Sequence, residues 1–261
     1  MSILNVTPDS FSDGGKCTTL ADAVTAALRQ RDQGAAIIDI GGESTRPGSL
    51  PVNAAEEAAR VVPVVEALAR EKGLIISVDT RKSEVARLAL QAGAHIINDV
   101  TALEDPQMAQ VVSQAGAGLA LMHIQGEPGT MQDNPQYHDV KTQVAAHLRD
   151  RMQLAIAAGV NPQAIALDPG IGFGKNYTHN VQLLGPGGTD QILALGRPLL
   201  LGVSRKSYLG TLLGRQVADR LAGTLATLAV AISRRSAHIL RVHDVAPTVD
   251  LVKVWRELDS V

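Results

Sequence analysis

One local pattern recurs along the chain: a helix-like stretch ends in glycine and leads, directly or after a few residues, into a short apolar segment. Glycine best tolerates the left-handed backbone conformation just past a helix end. Apolar segments of this length are typical of parallel strands buried on both faces. With two further apolar segments near the chain ends, the pattern predicts eight strands, at residues 3–6, 35–40, 74–78, 94–97, 117–122, 164–167, 198–201 and 237–242.

Amphipathic helix candidates lie between these predicted strands. Four of them span residues 20–33, 54–72, 140–158 and 219–235. Eight alternating strand and helix units in 261 residues predict an α/β fold, a single-domain (β/α)₈ TIM barrel over residues 1–261. A doubly wound open sheet is the alternative, although eight units would be many for it.

Composition limits the partners of this chain. Hydrophobic residues make up 45% and charged residues 19%, which allows a full core and excludes low-complexity disorder. The net charge of -2 gives no reason to expect nucleic acid or an anionic membrane surface as a partner. No apolar run reaches the roughly 20 residues of a membrane helix, and the first residues do not resemble a signal peptide. The single cysteine, Cys17, excludes an internal disulfide, so we expect a reducing, cytoplasmic location.

Polar residues stand where the predicted strands end. In a barrel of this kind, function lies at the carboxyl ends of the strands. Each such residue alone could equally well cap a helix. Eight polar strand ends around one mouth instead indicate a binding site. The residues are Asn5, Glu43, Asp79, Asn98, His123, Asp168, Lys206 and Arg241.

The chemistry of these residues indicates a phosphorylated heterocycle. Arg205, Lys206, Arg241 and His243 follow the last two strands, whose loops often form the phosphate site of such barrels. The carboxylates of Asp79 and Asp168, with the amide of Asn98, suit a planar ring rich in N–H donors, such as a pterin or a purine.

The residue spacing excludes nucleotide-binding loops and disfavours a zinc site. Residues 170–175 match neither a dinucleotide-binding fingerprint nor a Walker A loop. The seven histidines lack the spacing of a zinc site.

Eight segments of the chain carry a family resemblance. They are residues 3–15, 39–48, 77–80, 97–100, 121–123, 167–175, 202–207 and 241–245. In order, and over nearly the whole chain, they resemble the bacterial dihydropteroate synthases, a pterin-binding family. The resemblance implies a (β/α)₈ barrel that joins 6-hydroxymethyl-7,8-dihydropterin diphosphate to 4-aminobenzoate, giving 7,8-dihydropteroate and pyrophosphate. It also implies that the bond to diphosphate breaks before the amine attacks, with Mg²⁺ on the leaving group.

The resemblance also implies roles for individual residues. The catalytic residues would be Asp79, Lys206 and Arg241. The pterin would be bound by Asp79, Asn98, Met122, Asp168, Phe173, Gly202, Lys206 and Arg241. The aminobenzoate would be bound by Phe11, Asp13, Thr45, Arg46, Pro47, Phe173, Lys206 and Ser207. The pyrophosphate would be bound by Asn5, Thr45, Arg241 and His243, and Mg²⁺ by Asn5.

Some features depart from the family or leave alternatives open. Members of the family begin with a short hairpin ahead of the first motif, which here starts at residue 3, so we expect a less covered barrel bottom. Ile124 replaces a more usual methionine, a mild change of similar volume. No insertion follows Pro47, so a sulfonamide should compete with 4-aminobenzoate. The resemblance implies a homodimer through the last helices, where segment 221–232 is very apolar; the alternative is that this segment simply packs on the barrel. A pterin-dependent methyltransferase and a catalytically silent pterin-binding paralogue are the alternative functions.

Overall fold

The computed structural model describes residues 1–7, 19–44, 51–127 and 129–260. Within these ranges the chain alternates strands and helices. The strands are β1 (Ser2–Asn5), β2 (Ile37–Gly41), β3 (Ile75–Asp79), β4 (Ile96–Asp99), β5 (Gly118–Met122), β6 (Ile165–Asp168), β7 (Leu200–Leu201) and β8 (Ile239–Leu240). The helices are α1 (Leu20–Asp32), α2 (Ala54–Leu68), α3 (Ser83–Gln91), α4 (Met108–Ala115), α5 (Val140–Ala157), α6 (Tyr177–Leu184), α7 (Asp190–Leu193), α8 (Ser207–Leu213), α9 (Leu221–Ser233) and α10 (Val245–Asp259).

All eight strands pair in parallel and in chain order. Strands β1 to β6 form one sheet, and β7 pairs with β8. Single parallel bridges join Leu167 to Leu199 and Ser2 to Val242, so they connect the two sheets at both edges and close the ring. The barrel prediction is confirmed, and the open-sheet alternative is wrong because an open sheet would leave two unpaired edges.

Strands β7 and β8 are shorter than the segments 198–201 and 237–242 predicted. Around them the ring is held by individual hydrogen bonds instead of a continuous ladder. The Leu167 amide donates to the Pro198 carbonyl (2.9 Å), and the Ile3 amide donates to the Val242 carbonyl (3.0 Å). Proline has no amide hydrogen, which limits the ladder at the start of β7.

Two predicted helices also begin or end differently. Helix α2 ends at Leu68 instead of residue 72, since the Glu71 amide closes a tight turn onto the Leu68 carbonyl (3.0 Å). Helix α9 starts at Leu221 because Val217–Asp219 form a separate 3₁₀ turn. Within the described ranges, none of the helices combines the length and apolar character that crossing a membrane requires.

The strands divide their side chains between two faces, which places the site. On β2, Ile38 and Ile40 are fully buried in the aliphatic core. Asp39 and Gly41 lie on the opposite face because successive strand residues alternate. Asp39 reaches across to Arg241 at the end of β8, so this opposite face is the barrel interior. The barrel interior is therefore polar between the middle of the strands and their carboxyl ends.

Candidate active site

The ends of β1 to β4 bring predicted site residues side by side. The strand register pairs Asn5 with Gly41, Gly41 with Asp79, and Asp79 with Asn98. A Cβ atom on Gly41 would lie 3.5 Å from Asn5 Oδ1 and 3.7 Å from Asp79 Cβ. Glycine at this position therefore keeps open the space between the Asn5 amide and the Asp79 carboxylate.

Arg241, which follows β8, binds carboxylates from two other strands, β2 and β3. Its Nε donates to Asp39 Oδ2 (2.6 Å) and its Nη2 donates to Asp79 Oδ2 (2.6 Å). The Asn98 amide donates to the same Asp39 oxygen (3.0 Å). We call Asp39, Asp79, Asn98 and Arg241 the carboxylate–arginine cluster. Three of its four members were predicted, and the structure places them in direct or shared contact.

Asp39 is the site residue that sequence reasoning missed. It is fully buried, and its second oxygen, Oδ1, has no hydrogen-bond partner among the described residues. Burying a carboxylate costs free energy unless it is paired, so Arg241 is the reason that it is tolerated. The available signal was its position: a carboxylate between Ile38 and Ile40, in the middle of an apolar strand.

Burial is the largest influence on Asp79. It raises the pKa of this carboxyl group above its ordinary value, and Arg241 opposes that rise. The neighbouring carboxylate of Asp39 adds to it. The charge on Asp79 therefore depends on Arg241 being in place.

Asp168, Phe173, Gly202 and Lys206 form the opposite wall. Asp168 Oδ1 accepts a hydrogen bond from the Gly170 amide (2.7 Å), and a Cβ on Gly202 would lie 3.9 Å from Asp168 Oδ2. The Lys206 ammonium lies 3.9 Å from the centroid of the Phe173 ring, a cation–π geometry. Burial lowers the pKa of Lys206, while Asp168 raises it. The structure brings these four predicted residues together.

Met122 packs beside this wall. It pairs in register with Asp168 and is buried with Val100, Met131 and Phe173. Ile124, the departure from the family pattern, packs against the same group. Ser207, which follows Lys206 as the first residue of α8, is exposed.

Two of the basic residues that follow β7 and β8 carry no free positive charge in the structure. Arg205 donates two hydrogen bonds to the carboxylate of Asp244 (2.9 and 2.6 Å), so its charge is already paired. His243 Nδ1 lies 3.0 Å from Ser204 Oγ. Burial, reinforced by Arg241, lowers the pKa of His243 to about 4. Of the four basic residues that follow the last two strands, Arg205 is thus paired with Asp244, and His243 is uncharged at neutral pH.

Five predicted site residues lie outside the described residues: Phe11, Asp13, Thr45, Arg46 and Pro47. The described residues that flank 45–50 are tied to the loop after β3. Glu43 accepts hydrogen bonds from the Val52 amide (3.0 Å) and from Lys82 Nζ (2.8 Å). Burial raises the pKa of Glu43, but these hydrogen bonds outweigh it and hold the pKa below its usual value.

Two histidines lie next to the site: His123 is buried and His147 is partly buried. The His123 and His147 rings meet edge to face, with centroids 4.9 Å apart. Burial, with nearby Arg151 and Lys175, lowers the pKa of His147 from 6.5 to about 4. The unfolded chain therefore binds a proton at His147 in a pH range where the folded protein does not.

We expect His147 to make the fold sensitive to acid. Below pH 6.5 the unfolded state gains a proton, so stability falls as the pH falls towards 4. Relative to His147→Leu, the wild-type free energy of unfolding should fall by about 1.4 kcal/mol per pH unit in this window. Urea unfolding between pH 4 and 8 measures it, with His138→Leu at an exposed position as the control. Parallel curves for wild type and His147→Leu would contradict the prediction.

Comparison with known proteins agrees with this geometry. Residues 1–243 match the family model described as pterin binding enzyme. The dihydropteroate synthase of Escherichia coli (strain K12) is 47% identical over 254 residues, which cover 97% of this chain and 89% of the relative.

Solved structures agree as well. The Yersinia pestis dihydropteroate synthase with a sulfonamide drug complex has a TM-score of 0.94 and 44% identity, covering 100% of this chain and 94% of the other. The Xanthomonas albilineans dihydropteroate synthase with 4-aminobenzoic acid has a TM-score of 0.92 and 46% identity, covering 100% and 93%. The chain therefore belongs to the pterin-binding enzyme family, and within it to the dihydropteroate synthases.

Proposed function

We propose that this chain joins 6-hydroxymethyl-7,8-dihydropterin diphosphate to 4-aminobenzoate, giving 7,8-dihydropteroate and pyrophosphate. The observation that carries the proposal is the carboxylate–arginine cluster, which faces Asp168 and Lys206 across one barrel mouth. The chain's membership of the dihydropteroate synthases supports it. A pterin-dependent methyltransferase is disfavoured by the same membership.

The pterin binds between the two walls of the mouth. Carboxylate oxygens of Asp79 and Asp168 accept N–H groups of the ring, and the Asn98 amide can both donate and accept. Lys206 donates to a ring acceptor. Arg241 offers the flat face of its guanidinium to the ring, which suits a chain with only 2% aromatic residues. Met122, Phe173 and Gly202 complete the pocket.

The proposed reaction is dissociative, and the charge in the mouth suits it. The C–O bond to the diphosphate breaks first and leaves a positive charge shared with the pterin ring. When Asp39 and Asp79 are both ionised, the two carboxylates and one guanidinium carry one net negative charge. Such a fixed negative charge stabilises a developing cation without reorganisation of the protein. The amine of 4-aminobenzoate then attacks this cation, and its proton leaves to solvent or to the pyrophosphate.

The departing diphosphate requires an anion site at the mouth. Asn5, Arg241 and His243 supply it, with Thr45 as a further member outside the described residues. Since His243 is uncharged, it contributes a hydrogen bond. Arg241 contributes guanidinium N–H donors beyond the two that bind Asp39 and Asp79.

Asn5 is the proposed ligand of Mg²⁺. Among the described residues, no three His, Cys, Asp or Glu side chains come together in a way that could hold a metal. Mg²⁺ needs no such cluster, because it is usually held by few protein oxygens together with substrate phosphates and water. Asn5 Oδ1 is such an oxygen, next to the open space over Gly41. When bound, the ion would neutralise charge on the leaving group.

The proposed aminobenzoate pocket adjoins Lys206, Phe173 and Ser207. We expect it also to involve residues outside the described ranges, namely Phe11, Asp13, Thr45, Arg46 and Pro47. We expect a sulfonamide to compete with 4-aminobenzoate, because both present an aniline ring and an acidic group to this pocket. Steady-state kinetics should show a higher apparent KM for 4-aminobenzoate and an unchanged kcat. A lower kcat at saturating 4-aminobenzoate would contradict this prediction.

The direct test of function is pyrophosphate release from the pterin diphosphate with Mg²⁺, with and without 4-aminobenzoate. The proposal expects release coupled to formation of 7,8-dihydropteroate. A folded protein that binds the pterin diphosphate but releases no pyrophosphate would instead be a silent paralogue. Omitting Mg²⁺ tests the metal separately.

A homodimer is part of the proposal. Four apolar side chains on α8, on α9 and in the turn between them are each more than 40% exposed: Leu212, Leu213, Val217 and Val230. An apolar groove of about 290 Å³ lies between α6, α8 and α9. Apolar surface of this kind marks interfaces. Sedimentation equilibrium should give twice the 27.4 kDa mass of the chain; a monomer at all concentrations would contradict the proposal.

A further inference from the structure

Lys175 is a buried lysine that the proposed reaction does not use. It lies at the end of the loop after β6 and is only 2% exposed. Lysine is almost never fully buried unless its ammonium is paired. Here the nitrogen donates to the carbonyls of Gly170 (3.0 Å) and Phe173 (2.9 Å), and it lies 2.8 Å from His123 Nδ1. A longer contact joins it to the His123 carbonyl (3.3 Å), so the nitrogen has four acceptors within hydrogen-bond distance.

His123 acts as an acceptor in this arrangement. Burial, reinforced by Lys175, lowers the pKa of His123 to about 2, so its ring is neutral. A neutral ring that accepts at Nδ1 carries its hydrogen on Nε2. The Nζ atom of Lys175 therefore bridges the end of β5, through His123, to the loop after β6.

The loop between Asp168 and Lys175 fits tightly against the end of β5. We call residues 170–174 the glycine loop. Gly170, Gly172 and Gly174 have φ values of 66°, 82° and 58°. A Cβ on Gly170 would overlap the His123 carbonyl, and a Cβ on Gly174 would overlap the Gln125 backbone. The loop can approach β5 this closely only with glycine at these positions.

The glycine loop carries two features of the pocket. The Gly170 amide is the hydrogen-bond donor to Asp168 Oδ1, and the Phe173 ring lies beneath the Lys206 ammonium. Lys175 bonds the carbonyls of these same two loop residues. Movement of the loop would therefore displace Phe173 and, with it, the contact to Lys206.

We propose that Lys175 is a positioning residue for the aminobenzoate side of the pocket, acting through the glycine loop to hold the Phe173 ring against Lys206. This inference rests on the proposed function. It differs from it because Lys175 itself would touch neither substrate.

The test is a double-mutant cycle with Lys175→Met and Phe173→Leu. Lys175→Met keeps the length of the side chain and removes the donors. A misplaced binding group can cost on the order of 10-fold to 100-fold, and we expect Lys175→Met to raise the KM for 4-aminobenzoate by about 10-fold. Affinity for the pterin diphosphate, measured by calorimetry, should fall by a smaller factor. Phe173 and Asp168 also line the pterin side, but Asp79 and Asn98 lie on other strands. Lys253→Met, on the exposed side of α10, is the control.

The cycle separates positioning from general loss of structure. If Lys175 acts through Phe173, the double variant should be no worse than Phe173→Leu alone. Additive effects, or a folded Lys175→Met with unchanged KM, would overturn the proposal. If Lys175→Met does not fold, His123→Leu removes one acceptor and should raise the same KM by a smaller factor; an unchanged KM would likewise overturn it. Absence of turnover in the wild type would instead refute the proposed function.

Discussion

Replacing Arg241 by leucine should both destabilise the fold and abolish most turnover. The guanidinium is the shared partner of Asp39, which is fully buried, and Asp79, which is nearly so. Its removal leaves two neighbouring carboxylates without a cation inside the barrel. Breaking a buried ion pair in this way typically costs about 3–5 kcal/mol. We expect a loss of unfolding free energy in that range and a decrease in kcat of on the order of 100-fold or more.

A matched control distinguishes this cluster from arginine pairs in general. Arg205→Leu removes another bidentate arginine, paired with Asp244 at the same mouth but more exposed. Exposed pairs contribute about 0–1 kcal/mol, so Arg205→Leu should lose much less stability. Adding Asp39→Asn to Arg241→Leu should restore part of the stability, because it removes the unpaired buried carboxylate. The free energy of urea unfolding and kcat should be measured for the wild type, Arg205→Leu, Arg241→Leu and the double variant. Equal losses in Arg205→Leu and Arg241→Leu would contradict the interpretation.

Asp79→Asn should separate turnover from stability. Asparagine keeps an oxygen for Arg241 and nearly the same shape, but it loses the charge that stabilises the pterin cation. Removing one preorganised electrostatic group typically costs about 10²–10³ in kcat, and we expect a decrease of that size. Because burial already disfavours the charged form of Asp79, the free energy of unfolding should change little.

The pH profile checks the same prediction. The raised pKa of Asp79 means that the reactive ionised form is lost as the pH falls, at values above the ordinary carboxyl range. The acid limb of kcat/KM in the wild type should therefore lie well above about pH 4, and Asp79→Asn should lack that limb. A limb that persists in the variant would assign it to another group.

Asp99 provides the neighbouring control. This aspartate is also buried, and it accepts hydrogen bonds from the amides of Thr101 (2.9 Å) and Leu103 (2.7 Å) in the loop after β4. Asp99→Asn replaces one acceptor by a donor that faces an amide. Such an unsatisfied buried group costs about 1–3 kcal/mol, so Asp99→Asn should lose stability and keep most of its turnover per folded molecule.

The sequence predicted the barrel because its signals are local. Glycine after most of the predicted helices and continuous apolar segments depend only on nearby residues, and the count of eight depends only on chain order. The short β7 and β8 were not predictable, since their length depends on hydrogen bonds to β6 and β1, which are distant in sequence.

The residues of the candidate site also fall into two groups, those visible in the sequence and those recognised only in the fold. Asn98, Asp168 and Lys206 were found because a polar residue at a strand end is visible in the sequence. Asp39 was missed because a carboxylate within a strand has meaning only once Arg241, 202 positions later, is seen to pair with it.

Charge state was also decided by the tertiary structure. In the sequence, Arg205 and His243 count as cations beside a phosphate site. In the fold, Asp244 neutralises Arg205, and burial keeps His243 uncharged. The sequence by itself determined the barrel and the polar strand-end residues at one of its mouths. Only the tertiary structure decided which of them carry charge, because desolvation and ion pairing depend on neighbours that chain order does not reveal.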